Sequence, residues 1–275
     1  MGKVIIVTGA SSGIGKATAL QLIEEGHIVY GAARRVDMMT DIVEAGGKAV
    51  SLDLTNHDQV RTEVAGILEA EGRVDVLVNN AGYAVYGPVE EVSYEQAKRQ
   101  FEVNLFGLAE ITKAILPGMR IQGSGTIVNV TSVGGKVYTP LGAWYHASKH
   151  ALEGWSDCLR LEVKQFDIDV VIVEPGVIKT GFKDAMDELF EDSNGPYKEM
   201  KSLIARMMEG TQEPGQYSEP TVIARTISKA IKVKRPKTRY AAGKMAKQSL
   251  LGRKLLSDKA FDRMFLAMLK NYGQS

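Results

Sequence analysis

Short β-branched apolar runs recur along the first two thirds of the chain, at Val4 to Val7, Ile28 to Ala32, Ala49 to Leu52, Val74 to Val78, Thr126 to Val130 and Val170 to Val173. Between them, segments such as Ile14 to Glu25 and Asp58 to Glu71 space their apolar residues three and four apart, the period of a helix with one buried face. Strand, helix and strand alternating in this way predict an α/β fold, a doubly wound parallel sheet in three αβα layers. After Pro175-Gly176 the alternation stops, and Thr180 to Val222 reads as an acidic, irregular or helical lid, punctuated at Gly195-Pro196 and Pro214-Gly215. Near the end, Phe261, Met264, Phe265, Met268 and Leu269 recur at i, i+3, i+4, i+7 and i+8, which predicts an amphipathic helix.

With 275 residues and 44% hydrophobic content, the chain can fill one large core, so we expect a single domain over 1–275 with a lid at 181–228 and a C-terminal extension at 229–275. Its net charge of +1 conceals an asymmetry. From Lys229 onward thirteen Lys and Arg face two Asp, whereas residues 1–228 carry 21 basic and 31 acidic side chains. Three readings of the basic tail follow: packing over its own domain, a subunit interface, or contact with an anionic membrane surface. Few aromatics interleave with its cations, which speaks against nucleic acid. One cysteine, Cys158, forms no internal disulfide and no thiolate cluster, as expected in a reducing, cytoplasmic setting. The four apolar residues after Met1-Gly2-Lys3 are too few for a secretory signal or a membrane span, and Ile6 stands where myristoylation asks for Ser or Thr, so we expect a soluble protein.

The first run leads into Thr8-Gly9-Ala10-Ser11-Ser12-Gly13-Ile14-Gly15 and then a helix. Glycines there permit a tight turn and let a pyrophosphate approach the helix N-terminus, where unpaired N–H groups favour an anion. The spacing is Gly-x3-Gly-x-Gly, and a ligand-free strand-to-helix turn is the alternative. At the end of the second run Arg34 and Arg35 stand where a dinucleotide fold offers an acid to the adenosine ribose. A carboxylate would repel a 2′-phosphate and a guanidinium would bind one, so the pair favours NADP(H) over NAD; two solvated arginines are the alternative.

A tyrosine four residues before a lysine on one helix face places an ammonium near a phenol and can lower its pKa. Four such pairs occur, Tyr94/Lys98, Tyr145/Lys149, Tyr197/Lys201 and Tyr240/Lys244, and position selects among them. Ligands of an open parallel sheet bind beyond the carboxyl ends of its strands, and only Tyr145/Lys149 follows such an end, Val130-Thr131-Ser132. His146 and His150 are also four apart, but with no third ligand in view they read as packed or rim residues, and we expect no metal.

Thr8 to Gly15, Asn79-Asn80-Ala81-Gly82, Asn104, Ser132, Tyr145-His146-Ala147-Ser148-Lys149 and Pro175-Gly176-Val177 with Thr180 together resemble the short-chain dehydrogenase/reductase family, in order and spacing over roughly residues 2–181. The resemblance implies a Rossmann-type domain with a seven-stranded sheet, hydride exchange between NAD(P) and an alcohol or carbonyl, and a homodimer or homotetramer. It implies Tyr145 as general acid and base, Lys149 lowering its pKa and binding the nicotinamide ribose, Ser132 orienting the carbonyl oxygen and Asn104 holding a water. It further implies adenine contact at Asp53-Leu54, where an N-cap role for Asp53 is the alternative, and cofactor contacts at Asn80, Ala81 and Gly82, where a structural turn is the alternative. Pro175, Gly176, Val177 and Thr180 would lie near the nicotinamide, an ordinary strand-exit loop being the alternative; Ser11 is counted with the cofactor contacts, and Ser12, beside the turn, is expected to help Arg34 hold the 2′-phosphate.

Tyr83, Tyr86, Val133, Tyr138, Trp144 and Phe182 are expected to edge the substrate cleft; this apolar set favours a hydrophobic alcohol, ketone or aldehyde. The lid and extended tail are similar to those of steroid, retinoid and acyl-lipid reductases within the family. A non-catalytic NADP-binding sensor or scaffold is the rival from another class, and a sugar-nucleotide epimerase or dehydratase is the rival enzyme.

Overall fold

The computed structural model describes residues 2–179, 195–211 and 213–274. Seven parallel strands form one sheet in the order β3-β2-β1-β4-β5-β6-β7: β1 (Val4–Thr8), β2 (Ile28–Ala33), β3 (Lys48–Ser51), β4 (Val76–Asn79), β5 (Gly125–Val130), β6 (Ile168–Pro175) and β7 (Arg239–Ala242). Register follows the alternation of side chains. In β1, Val4 and Ile6 join a core with Val64, Ile111, Ile115 and Met119, while Ile5 and Val7 join the opposite core. Strands buried on both faces read as continuous apolar runs, which is why six of the seven were legible.

Helices α3 (His57–Glu71), α5 (Leu108–Gln122) and α6 (Ala143–Val163) contribute to the first core. Helix α1 (Gly13–Glu24) and the short α2 (Thr40–Glu44) contribute to the second. Helix α4 (Tyr94–Phe101) runs into a π-helical stretch at Glu102–Gly107. After β6 come α7 (Lys198–Gly210), α8 (Pro220–Lys232), α9 (Ala246–Leu255) and α10 (Asp258–Gln274).

The fold does not stop where the sequence pattern does. Helix α8 drives Ile223, Ile227 and Ile231 into the second core and packs on α1, and β7 completes the sheet beside β6. The acidic stretch and the basic stretch thus each surrender an element to the Rossmann body. The strand was hidden because Arg-Tyr-Ala-Ala is four residues long and only half-buried.

Candidate active site

The sheet reverses its winding between β1 and β4, the place where open α/β sheets bind their ligands. There Thr8 ties the two strand ends together. Its buried hydroxyl accepts the Asn80 and Ala81 amides, both at 3.0 Å, and the Asn80 side chain returns a bond to the Thr8 carbonyl at 3.0 Å. Asn80-Ala81 is therefore a clamp on the glycine turn. Gly9 and Gly13 adopt φ of 68° and 53°, which explains glycine at both. Ser11 is buried, and Ser12 caps α1 in an extended conformation without a side-chain bond, so the first amides of that helix, with Ile14 behind them, head the turn.

Arg34 and Arg35 follow β2, both exposed and neither hydrogen-bonded nor ion-paired through its side chain among the described residues. Asp53, after β3, is not the cap of α3; Asn56 is, accepting the Gln59 amide. Asp53 instead accepts the Thr55 amide and hydroxyl at 2.9 and 2.8 Å. Burial works against its charge, but these bonds and the nearby Arg34 and Arg99 outweigh it and hold the carboxyl below its usual range. Leu54 is buried, its backbone filling the place where a side chain on Gly107 would stand.

Ser132, one residue past Thr131 at the end of β5, accepts the Gly134 amide at 3.0 Å and is hydrogen-bonded to Tyr145. Tyr145 and Lys149 lie one turn apart on α6, both buried. Lys149 donates to the Val130 carbonyl at 3.1 Å. Asn104, in the π-helical stretch, is fully buried: its amide group donates to the Tyr83 carbonyl at 2.9 Å and to the Ser148 hydroxyl at 3.0 Å, and its carbonyl accepts the Tyr83 amide. π-Helical stretches often mark functional positions. A Cβ on Gly82 would stand 3.1 Å from Asn104 Oδ1 and 3.6 Å from Lys149 Nζ, so glycine keeps the space between them open.

The electrostatics differ from the expectation that Lys149 lowers the Tyr145 pKa. Burial raises the phenol above its ordinary value, with the Ser132 bond only partly opposing it. Burial also draws Lys149 down to about 8, against the pull of the Glu153 carboxylate. The reason is enclosure: the site favours the neutral form of each group.

Glu153 went unnoticed in the sequence. One turn beyond Lys149, it is buried and accepts from the Thr131 hydroxyl at 2.7 Å, with Arg239 at 3.0 Å and Lys136 at 3.1 Å. It thereby links β5, α6 and β7 behind the Ser132–Tyr145 pair. Only its four-residue offset from Lys149 could have marked it.

The other Tyr/Lys pairs lie elsewhere. Tyr94 is exposed on α4, Lys201 pairs with Glu91, and Tyr240 lies on a strand, where a four-residue offset does not carry the helical meaning. The buried His146 accepts the Thr139 amide at Nε2, so Nδ1 carries the proton and donates to the Gly134 carbonyl; the ring braces the loop before α6.

Of the expected cleft residues, Tyr86 is buried behind Tyr145, ring centroids 5.6 Å apart, and forms a backing rather than an edge. Tyr138 turns to the C-terminal helix, donating to Asp262 at 2.9 Å and packing on Phe261. Val133 begins the turn after Ser132, Tyr83 is half-buried beside Asn104, and Trp144 is half-buried with Nε1 enclosed and unpaired. Pro175 ends β6, and Gly176 and Val177 bond backbone to backbone with Ala242 and Lys244, both at 2.9 Å. Thr180 and Phe182 lie outside the described residues.

A Rossmann-type sheet with a glycine turn at its switch point, and a serine, a tyrosine and a lysine together at the strand ends, defines a nicotinamide-dependent oxidoreductase architecture. The chain belongs to the short-chain dehydrogenase family: the model of the short chain dehydrogenase family matches residues 3–189. It is 38% identical over 243 residues to a 3-ketodihydrosphingosine reductase of Bacteroides thetaiotaomicron, covering 88% of each chain. A short-chain dehydrogenase from Streptomyces avermitilis superposes with a TM-score of 0.81 at 35% identity, covering 100% of this chain and 97% of the other. Among further solved neighbours, a single-substitution variant of actinorhodin polyketide ketoreductase with NADPH has a TM-score of 0.76 at 31% identity over 86% of this chain and 94% of its own. A Burkholderia phymatum short-chain dehydrogenase with NAD has one of 0.78 at 26% identity, over 92% of both.

Proposed function

We propose that this chain is an NADP-dependent oxidoreductase that interconverts a hydrophobic alcohol with its ketone or aldehyde, Tyr145 serving as the acid and base. The observation that carries this reading is the convergence of Ser132, Tyr145, Lys149 and Asn104 at the strand ends beside the glycine turn. The turn fits a dinucleotide: Gly9 and Asn80 leave no volume for a side chain at Gly15, so the N-terminus of α1 is held close against the turn, where its amides can meet a pyrophosphate. Thr8 to Gly15, with Arg34, Asp53 and Lys149, would hold it. When bound, the cofactor supplies or accepts the hydride.

In reduction, negative charge grows on the carbonyl oxygen, and the Ser132 and Tyr145 hydroxyls both donate to it. Tyr145 then gives up its proton and the alcohol forms. Lys149 steadies the tyrosinate left behind, and a water held at Asn104 returns the proton. Buried walls around Tyr145, formed by Ala84 and Tyr86 with Leu141 and Met208, keep bulk water away and favour an apolar substrate. The relative named for reducing 3-ketodihydrosphingosine supports a ketone as the acceptor. We assign the stretch around α7 as the substrate lid, place the protein in a reducing cytoplasmic setting in keeping with its single exposed cysteine, and expect a homodimer or homotetramer.

NADPH and NADH oxidation against a panel of hydrophobic ketones and aldehydes tests the reading; turnover with neither would end it. Arg34→Asp is expected to reverse the preference, cutting kcat/KM for NADPH at least about tenfold as a charge-assisted phosphate bond becomes a repulsion. An unchanged NADPH/NADH ratio contradicts the assigned contact.

Glu153→Gln carries a pH prediction. An opposite charge favours the ammonium, so its removal lets Lys149 lose its proton below about 8. The alkaline limb of the kcat/KM profile should move to lower pH. An unmoved limb contradicts this coupling.

A further inference from the structure

Helices α9 and α10 each carry an exposed stripe of basic and apolar residues. On α9 the exposed residues Lys247, Leu251, Lys254 and Leu255 recur at i, i+4, i+7 and i+8; on α10 Lys259, Arg263, Leu266 and Lys270 recur at i, i+4, i+7 and i+11. Leu251 is 57% exposed and Leu255 72% exposed, one turn apart on α9. The two acids of this region are both partnered: Asp258 pairs with Arg253 of α9 at 2.7 Å, and Asp262 accepts the Tyr138 hydroxyl.

The inner side of the same pair reaches the candidate site. Leu269 is buried with Ile204 and Met207 of α7, and Leu141 and Met208 adjoin both that cluster and the one holding Tyr145. Helix α9 begins just past the end of β7, on the carboxyl-end side of the sheet, where Ser132 and Gly176 also lie. The helix pair that carries the basic, leucine-bearing face therefore adjoins the candidate site through its inner side.

We propose that this face docks on an anionic lipid bilayer. Lysines that reach the headgroups while leucines between them enter the acyl boundary are the two requirements of interfacial binding, and one stripe supplies both. A second copy in a two-fold contact would set lysine against lysine, which disfavours self-association through this face. Nucleic acid would want aromatic platforms, yet Phe261 is buried and Phe265 packs inward. The docking stands on these observations alone; that it delivers a bilayer-resident ketone to Tyr145 rests on the reductase reading.

The test is co-sedimentation of the full chain with phosphatidylcholine vesicles, with and without phosphatidylglycerol, at physiological salt and without substrate. Partition into the anionic vesicles should exceed that into neutral ones at least about tenfold, each basic contact adding its share of attraction. Both the triple variant Lys247→Glu, Lys254→Glu, Arg263→Glu and the double variant Leu251→Ser, Leu255→Ser should lose it, their exposed positions leaving the fold intact. Equal partition to both vesicles, no partition, or variants that bind like the parent overturns the proposal. So does a face claimed by another occupant: a changed oligomeric mass in the variants, or a charge-dependent, leucine-independent retention on DNA. Absent NADPH turnover would refute the reductase reading and leave the vesicle result standing.

Discussion

Tyr145→Phe is expected to lower kcat by roughly a hundred- to ten-thousandfold, the range that a positioned general acid contributes. NADPH affinity should stay within about a factor of two, because the lost atom is the proton donor and not part of the glycine turn. The variant should fold, since the ring keeps its packing on Tyr86 while the removed hydroxyl gives up its bond to Ser132. Single-turnover kinetics and a fluorescence titration with NADPH separate the two quantities. Loss of binding together with turnover would instead mean that Tyr145 is structural.

Gly15→Ala should do the opposite and strike cofactor and fold together. A Cβ there would stand 2.5 Å from the Asn80 side chain and press on the Gly9 carbonyl. Backbone cannot swing aside as a flexible side chain can, so α1 must tilt away from the turn. Overpacking of this kind costs about 1–3 kcal/mol. For a chain of this size each kcal/mol lowers Tm by roughly 2–4 °C. Displacing the α1 amides should also weaken NADPH binding more than tenfold, as a lost charge-assisted bond to phosphate would. A thermal melt and a binding isotherm check both, and an unchanged pair of values would mean that the turn has room it does not display.

Six strands and the glycine turn were legible because buried parallel strands leave runs of Val and Ile, and tight turns leave glycine. What stayed hidden depends on distant partners. The seventh strand is short and half-buried, so pairing with β6 rather than its own composition makes it a strand. Tyr138 reads as a cleft residue until Asp262, 124 positions later, claims its hydroxyl. Glu153 looks like a solvated helix residue until Arg239, 86 positions away, neutralises it in the core. Asn104 owes its inward aim to a π-helical stretch that 3.6-residue periodicity does not announce. The pairing of Tyr145 with Lys149 came from position at a strand end, whereas their opposing pKa shifts come from burial, which no spacing reveals.

The tail illustrates the same limit. Its helical period at Phe261, Phe265 and Leu269 was readable, and so was its charge. That the apolar side seats on α7 and that the basic side stays outward emerged only from the packing.

The central claim, hydride exchange between NADPH and a hydrophobic carbonyl under proton donation by Tyr145, is tested most directly by isotope transfer. NADPH carrying deuterium at the reactive nicotinamide carbon is incubated with the full chain and the ketone panel, and the product alcohols are analysed by mass spectrometry. The parent protein should place one deuterium on the carbinol carbon, and Tyr145→Phe almost none. Unlabelled alcohol, or equal labelling by both proteins, would contradict the claim.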